Sequence, residues 1–454
     1  MVLPPSPPSP SPPSILAFPG SGNAAIEFTQ DQRNVLALVK DWFVNLKAKP
    51  NSRYRTVSLS GTEDASRILY IGGYAGVGKT TLIKYILEDL QITPHRATFC
   101  TYTGKAALVM SDKTGYDTST VHSAIYHVAE DPLIYGRLVV QKKREPDLLY
   151  SRVIFLDEVS MIDKEMMADL LSYGIPIICF GDPFQLPPIG GDAYFSDTRR
   201  PDYMMTQITR QAADSPIIWI STQIREGRGM PSAGTYGGGA WIGPRSLLSE
   251  EAFLQTDQIL VGYNNTRVHY NDWMRQKLGY AQRGERSLPL IGEKLICLKN
   301  NKQFGVVNGQ LLTVLDDGMW QDHSGHLFKM SLCDHGKWPP ELFDAFQAAK
   351  GKPMQAMKDT SLGKGPNIIL RDQVCFSGHL WDAKIREENE LHWSLLKDTV
   401  ELTFGYALTV HKSQGSQYSR PLLIDEPPMR DPVMNARWRY TGITRAADFI
   451  GVAL

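Results

Sequence analysis

The stretch Ile68-Leu-Tyr-Ile-Gly-Gly73-Tyr-Ala-Gly76-Val-Gly78-Lys79-Thr80-Thr81 decides how the rest of the chain is read. An apolar strand run, Ile68–Ile71, leads into G-x-x-x-x-G-K-T, and a helix-like segment, Thr81–Leu90, follows. Glycines let the backbone fold into a nest of N–H donors at a helix N-terminus, where a phosphate is favoured. Lys79 then reaches the β and γ phosphates, and the Thr80 hydroxyl can ligate magnesium. Gly73, Gly76, Gly78, Lys79, Thr80 and Thr81 are therefore the candidate nucleotide contacts, with ATP and Mg2+ as the expected cofactors.

Downstream, the apolar strand Val153–Leu156 runs into Asp157-Glu158 about eighty residues after the phosphate loop. A carboxylate there can hold the metal bound by Thr80, and its neighbour can polarise water. The next strand, Ile175–Phe180, exits into Gly181-Asp-Pro-Phe-Gln185-Leu-Pro-Pro188, whose prolines stiffen a loop presenting one neutral amide. Gln185 is placed to sense the γ-phosphate. With Ala97–Cys100 as a further short apolar run, the spacing implies an α/β unit built on a parallel sheet.

The chain of 454 residues is long enough for two to four domains. Lys plus Arg and Asp plus Glu both total 48, which leaves a local basic groove for nucleic acid possible, and 42% hydrophobic residues exclude global disorder. No apolar run is long enough for a membrane-spanning helix. Five widely spaced cysteines, with no C-x-x-C pair, fit a reducing compartment and a cytoplasmic location, in the host if the source is viral. His323, His326, Cys333 and His335 match no standard zinc spacing and read as a polar loop. Residues 1–26 carry no charged side chain, and seven of the first thirteen are proline, so a disordered tail is expected there rather than a signal peptide.

From Phe28 the pattern turns helical, with Thr29 and Gln32 forming a capping box ahead of Val35, Leu36, Val39, Trp42, Phe43 and Leu46. A second set of strands is expected at Gln258–Gly262, Val400–Phe404, Pro421–Ile424 and Phe449–Ala453. The region 292–398, with short runs such as Lys294–Leu298 and Gln310–Leu315, reads as an inserted small β domain.

Together with Tyr102-Thr-Gly-Lys-Ala-Ala107, Thr120-Val-His122-Ser123, Thr206-Gln-Ile-Thr-Arg210-Gln211, Tyr406-Ala-Leu-Thr-Val-His411-Lys-Ser-Gln414-Gly415 and Tyr440-Thr-Gly-Ile-Thr-Arg445, these elements resemble superfamily 1 DNA helicases. The order of motifs is similar to that of the RecD and Dda branch, of phage type, which moves 5′ to 3′. The resemblance implies an α/β fold of two RecA-like P-loop NTPase domains, 27–209 and 210–291 with 399–454. It also implies a small hairpin insertion at about 128–150 in the first and an SH3-like β domain, 292–398, inserted in the second. It assigns adenine reading to Gln32, metal binding to Thr80 and Asp157, base catalysis to Glu158 and arginine fingers to Arg210 and Arg445. Lys79 and Gln185 join the catalytic set, and Gln414 and Gly415 the nucleotide contacts. Thr103, Gly104, Lys105, Thr120, His122, His411 and Lys412 match the strand-binding motifs, which grip sugar-phosphate without reading bases.

The expected activity is thus an ATP-dependent DNA helicase acting as a monomer on single-stranded DNA and single/double-strand junctions, with a single-strand-binding or replisome protein as a candidate partner. Two other classes compete. A P-loop kinase would need an acceptor lid and no Arg445 more than 350 residues away, and a slow nucleotide switch would not need Glu158 and two arginines. For unwinding, Val128–Tyr150, with Pro132, Tyr135-Gly136-Arg137 and Lys142-Lys143-Arg144, is the expected wedge.

Overall fold

The computed structural model describes residues 28–48, 67–130, 138–144, 147–188, 193–195, 200–280, 290, 292–298, 300, 306–316, 319–321, 327–328, 331–334, 367–370 and 399–454. The proline-rich tail, His323, His326, His335 and the 131–137 part of the expected wedge, with Pro132 and Tyr135-Gly136-Arg137, lie outside the described residues.

The first sheet has the order Thr118–Thr120, Ala97–Thr101, Val153–Asp157, Ile177–Gly181, Ile68–Gly73, Tyr203–Met205, with every neighbour parallel. Its inner strands, Val153–Asp157, Ile177–Gly181 and Ile68–Gly73, are buried at every position because both faces are covered. On one face Leu69, Ile71, Phe155 and Phe180 pack against Val35, Val39, Leu82 and Ile86 of the helices Gln30–Ala48 and Lys79–Asp89. On the other, Ile68, Tyr70, Leu156 and Cys179 meet Met166, Met167 and Leu170 of the helix Lys164–Leu171. The capping box forms as read: Thr29 N–H donates to Gln32 Oε1 at 2.9 Å and Gln32 N–H to Thr29 Oγ1 at 3.2 Å.

The second sheet runs Ala407–Thr409, Gln258–Val261, Pro421–Ile424, Ile450–Ala453, Ala240–Gly243, Gly234–Tyr236, parallel except for the last, antiparallel pair. Helices Pro216–Arg225 and Pro432–Ile443 cover one face, with Ile217, Ile220, Trp438 and Ile443 against Leu260, Leu423 and Val452. Val400–Phe404, expected in this sheet, is not part of it. The strand Thr399–Phe404 instead pairs with Lys294–Cys297 and Asn367–Leu370 in a third sheet, of seven strands among the described residues. A run of alternating apolar residues satisfies either sheet equally, so local pattern does not choose between them.

The third sheet is rooted in the second unit by buried polar contacts. Arg275 of the helix Asn264–Lys277 donates to Glu293 through Nε at 2.6 Å and Nη2 at 3.0 Å, both side chains essentially inaccessible. Next to it, Lys294 Nζ donates to Asp257 O and to Gln258 Oε1. Breaking such a buried pair on one side typically costs about 3–5 kcal/mol, so the root is stiff.

From the first unit projects an antiparallel hairpin, Tyr126–Glu130 with Leu138–Lys142. Its base is clamped by one carboxylate: Asp169 accepts from Tyr126 OH at 2.7 Å and from Lys142 Nζ at 3.1 Å. Among the described residues, no helix is long and apolar enough to cross a membrane.

Candidate active site and strand-binding edge

The helix Lys79–Asp89 starts at Gly78, which holds φ 80°, a left-handed conformation open to glycine at little cost. No side chain caps this helix and no acidic residue sits in its first turn, whereas Thr103, Thr120 and Asp163 cap the helices that follow them. The N–H groups left at its start make an anion cradle. Lys79 Nζ donates to Gly73 O at 2.6 Å and Tyr74 O at 3.0 Å, folded over the loop.

Thr80 Oγ1 donates to Asp157 Oδ2 at 3.2 Å, bringing the two expected metal ligands together across the sheet. Burial and the Glu158 carboxylate beside it push Asp157 up to about 6, against the pull of Lys79. An oxygen donor set of hydroxyl and buried carboxylate is what a hard divalent cation accepts, and its charge would offset that burial. Glu158 itself sits at φ 55°, ψ 47°, one of two non-glycine residues with positive φ among the described residues. Such strain costs on the order of 1–3 kcal/mol and turns the carboxylate away from the course of its strand.

Gln185 closes the circuit. With its amide nitrogen turned to Glu158 it donates to Oε2 at 3.2 Å, and its oxygen accepts from Arg445 Nη2 at 3.3 Å. Arg445 comes from the second unit, held by Nε to Thr441 O at 3.1 Å and Nη1 to Ser416 O at 3.2 Å. A carboxylate, an amide and a guanidinium from both units thus meet in one hydrogen-bonded line.

Other expected residues fall differently. Gln32 Nε2 donates to Val77 O at 3.3 Å while Oε1 serves the capping box, so both ends of the amide expected to read adenine are engaged with backbone. Gln414, expected near the nucleotide, donates to Leu186 O at 2.8 Å on the inter-unit seam. Gly415, also expected there, lies against Thr103: φ is 71°, and a Cβ on it would stand 2.6 Å from Thr103 Oγ1. Arg210 opens the short helix Arg210–Ala213, and its side chain lies outside the described set.

Of the residues expected to bind the strand, Thr103 and Thr120 are N-caps, accepting from Ala106 N and Ser123 N at 3.2 Å each. His122 is exposed, its ring between those of Tyr102 and Tyr126. His411 and Lys412 form the turn after the edge strand Ala407–Thr409. Lys105 departs from the expectation of a phosphate contact: it is buried, with Nζ 4.5 Å from the centre of the Tyr418 ring. Burial lowers its amine to about 8, against the attraction of Asp257. Gly104 lies against Val307 of the third sheet's region, where a Cβ would stand 2.4 Å from Val307 Cβ.

Residues that sequence reading passed over hold the frame. Asp31 accepts from Thr206 N at 2.6 Å, Gln207 N at 2.8 Å and Tyr203 OH at 2.8 Å, fixing the segment that leads to Arg210. These contacts hold its carboxyl below the usual range despite burial. An acidic residue in a first helical turn is too common to single out.

The AAA domain family matches residues 58–242, and the UvrD-like helicase C-terminal domain family matches 404–449. The ATP-dependent DNA helicase dda of Enterobacteria phage T4 is 34% identical over 168 residues, 35% of this chain and 38% of its own length. The ATP-dependent RecD2 DNA helicase of Deinococcus radiodurans is 26% identical over 423 residues, 90% of this chain and 50% of its own. In its motifs and over most of its length the chain is similar to superfamily 1 DNA helicases of the RecD and Dda type. In fold it is similar to the Pif1 helicase from Bacteroides solved with ADP-AlF3 and ssDNA, with a TM-score of 0.51 at 17% identity over 94% of this chain and 93% of that one. The two parallel α/β units are accordingly RecA-like. The chain spans half or less of the length of these two curated relatives.

Proposed function

We propose that the chain is an ATP-dependent motor that moves 5′ to 3′ along single-stranded DNA and opens duplex ahead of it. The observation that carries this is the close approach of Glu158, Gln185 and Arg445, where the Gln185 amide, oriented to satisfy both neighbours, links the carboxylate beside the phosphate loop to a guanidinium of the other RecA-like unit. A kinase or a nucleotide switch has no need of that arrangement. A motor does, because hydrolysis must change how the two units sit together.

In this reading Lys79 and the N–H groups at the start of the helix Lys79–Asp89 bind the phosphates. Thr80 and Asp157 hold Mg2+, which when bound neutralises phosphate charge. Glu158 orients and deprotonates the attacking water, and Arg445, with Arg210, stabilises the charge that develops on the transferred group. Gln185 keeps Glu158 and Arg445 in register. Gln32 supports the phosphate loop through Val77 rather than reading the base in the conformation described.

The strand would run along one edge of both sheets, where the loops after Ala97–Thr101, Thr118–Thr120 and Ala407–Thr409 present Thr103, Thr120, His122, His411 and Lys412. The clamped hairpin starting at Tyr126, four residues after His122, would meet the duplex. The third sheet, with its antiparallel core, is the SH3-like insert of this scheme. The proposal is tested by ATP hydrolysis with and without single-stranded DNA: strong stimulation is expected, and an equal rate in both would remove the motor.

A further inference from the structure

The helix Pro432–Ile443 sends a tyrosine into the first unit. Tyr440, 1% exposed, donates its hydroxyl proton to Asp182 Oδ2 at 2.5 Å and accepts the Ala75 N–H at 3.1 Å. A phenol has one proton to give, so both of its directional bonds are made across the boundary between the units. Ala75 belongs to the phosphate loop. Asp182 follows the strand Ile177–Gly181, and its Oδ1 accepts the Phe184 N–H at 3.0 Å, which shapes the loop carrying Gln185. The Phe184 ring meets the Tyr440 ring edge-on at 5.1 Å.

On its other side, Tyr440 lies five residues before Arg445, whose Nε is anchored on the carbonyl of Thr441. One hydroxyl therefore connects the phosphate loop, the Gln185 loop and the segment bearing the guanidinium. Both bonds can form together only when the loop has this shape and the units are closed. A core tyrosine kept for its volume would need neither bond, and burying a hydroxyl beside a carboxylate without use is costly.

We infer that Tyr440 is a positioning residue for hydrolysis: its hydroxyl, bridging Ala75 and Asp182, sets the closed placement of Arg445 and Gln185 over the phosphate loop. This rests on the motor reading for the role of Arg445, and it adds a group that touches no reacting atom.

The test is Tyr440→Phe, which keeps the ring and its packing on Phe184 and removes only the bridge. A hydrogen bond to a charged group is lost, so kcat should fall by roughly 10–100-fold. KM for ATP should stay close to wild type, and the thermal midpoint should fall modestly, because Asp182 and the Ala75 N–H lose their shared partner, with the protein still folded at assay temperature. Because Tyr440 acts through Arg445, adding Tyr440→Phe to Arg445→Ala should cause little further loss. A wild-type kcat in Tyr440→Phe overturns the inference. So does a loss confined to KM, or one that multiplies in full with that of Arg445→Ala, as independent or purely structural effects would. Rates are read both without and with single-stranded DNA. Absent stimulation then counts against the motor reading alone, and a wild-type-like Tyr440→Phe against the inference alone.

Discussion

Thr441 Oγ1 accepts the Leu186 backbone N–H at 3.0 Å, and Gln414 Nε2 donates to the carbonyl of the same residue at 2.8 Å. The peptide groups of Leu186, from the first unit, are satisfied by side chains of the second, so the Gln185 loop belongs structurally to both. Thr441→Val keeps the volume and removes the acceptor. The buried Leu186 N–H is then unpaired, at a cost of about 1–3 kcal/mol. Thermal denaturation should show that loss, and a midpoint equal to wild type would mean the seam is not closed in solution.

Lys79→Ala and Glu158→Gln should fail differently. The first removes a phosphate contact and should lose nucleotide binding with turnover. The second keeps shape, leaves ATP bound and slows hydrolysis, because it removes the base. Fluorescent-nucleotide binding alongside single-turnover hydrolysis separates the two, and normal turnover in Glu158→Gln would remove the base assignment.

Asp169→Ala should uncouple unwinding from hydrolysis. It releases Tyr126 and Lys142 together, and with them both strands of the hairpin at its base. A wedge must resist the duplex, so strand displacement should fall sharply while DNA-stimulated hydrolysis stays near wild type. Replacing residues 131–145 with a Gly-Ser linker should do the same more completely. Unchanged unwinding per ATP in both variants would move the wedge elsewhere, to the third sheet's region.

Lys294 offers a pH signature. Burial lowers its amine from 10.5 to about 7, so between those values the unfolded chain binds the extra proton and the folded one does not. This group therefore makes stability rise with pH from about 7 toward 10. Lys294→Met lacks the titration, and its advantage over wild type should be largest near pH 7 and shrink as pH increases. A stability difference independent of pH across that window would show that Lys294 stays charged when folded.

Much of this is legible in the amino-acid sequence. That the glycine-rich loop, Asp157-Glu158 and the loop of Gln185 all lie at strand ends is legible because apolar strand runs lead directly into them. The capping box at Thr29 and Gln32 is equally local. The strands Gly234–Tyr236 and Ala240–Gly243 were missed because Tyr236-Gly-Gly-Gly-Ala240 reads as a turn. Thr399–Phe404 went to the wrong sheet because pairing partners are set by the fold and not by alternation. Lys105 is the clearest case: a lysine in a strand-binding motif reads as a surface cation, and only the packing of Tyr418 shows that it is buried. Tyr440 and Asp182 lie 258 positions apart, beyond any local pattern.

The central claim is directional unwinding, and strand displacement on duplexes carrying a single-stranded tail at either the 5′ or the 3′ end tests it most directly. With ATP and Mg2+, the account predicts displacement from the 5′-tailed substrate and little from the 3′-tailed one, with Arg445→Ala inactive on both. Displacement from the 3′-tailed substrate alone, or none from either while hydrolysis responds to DNA, would contradict it.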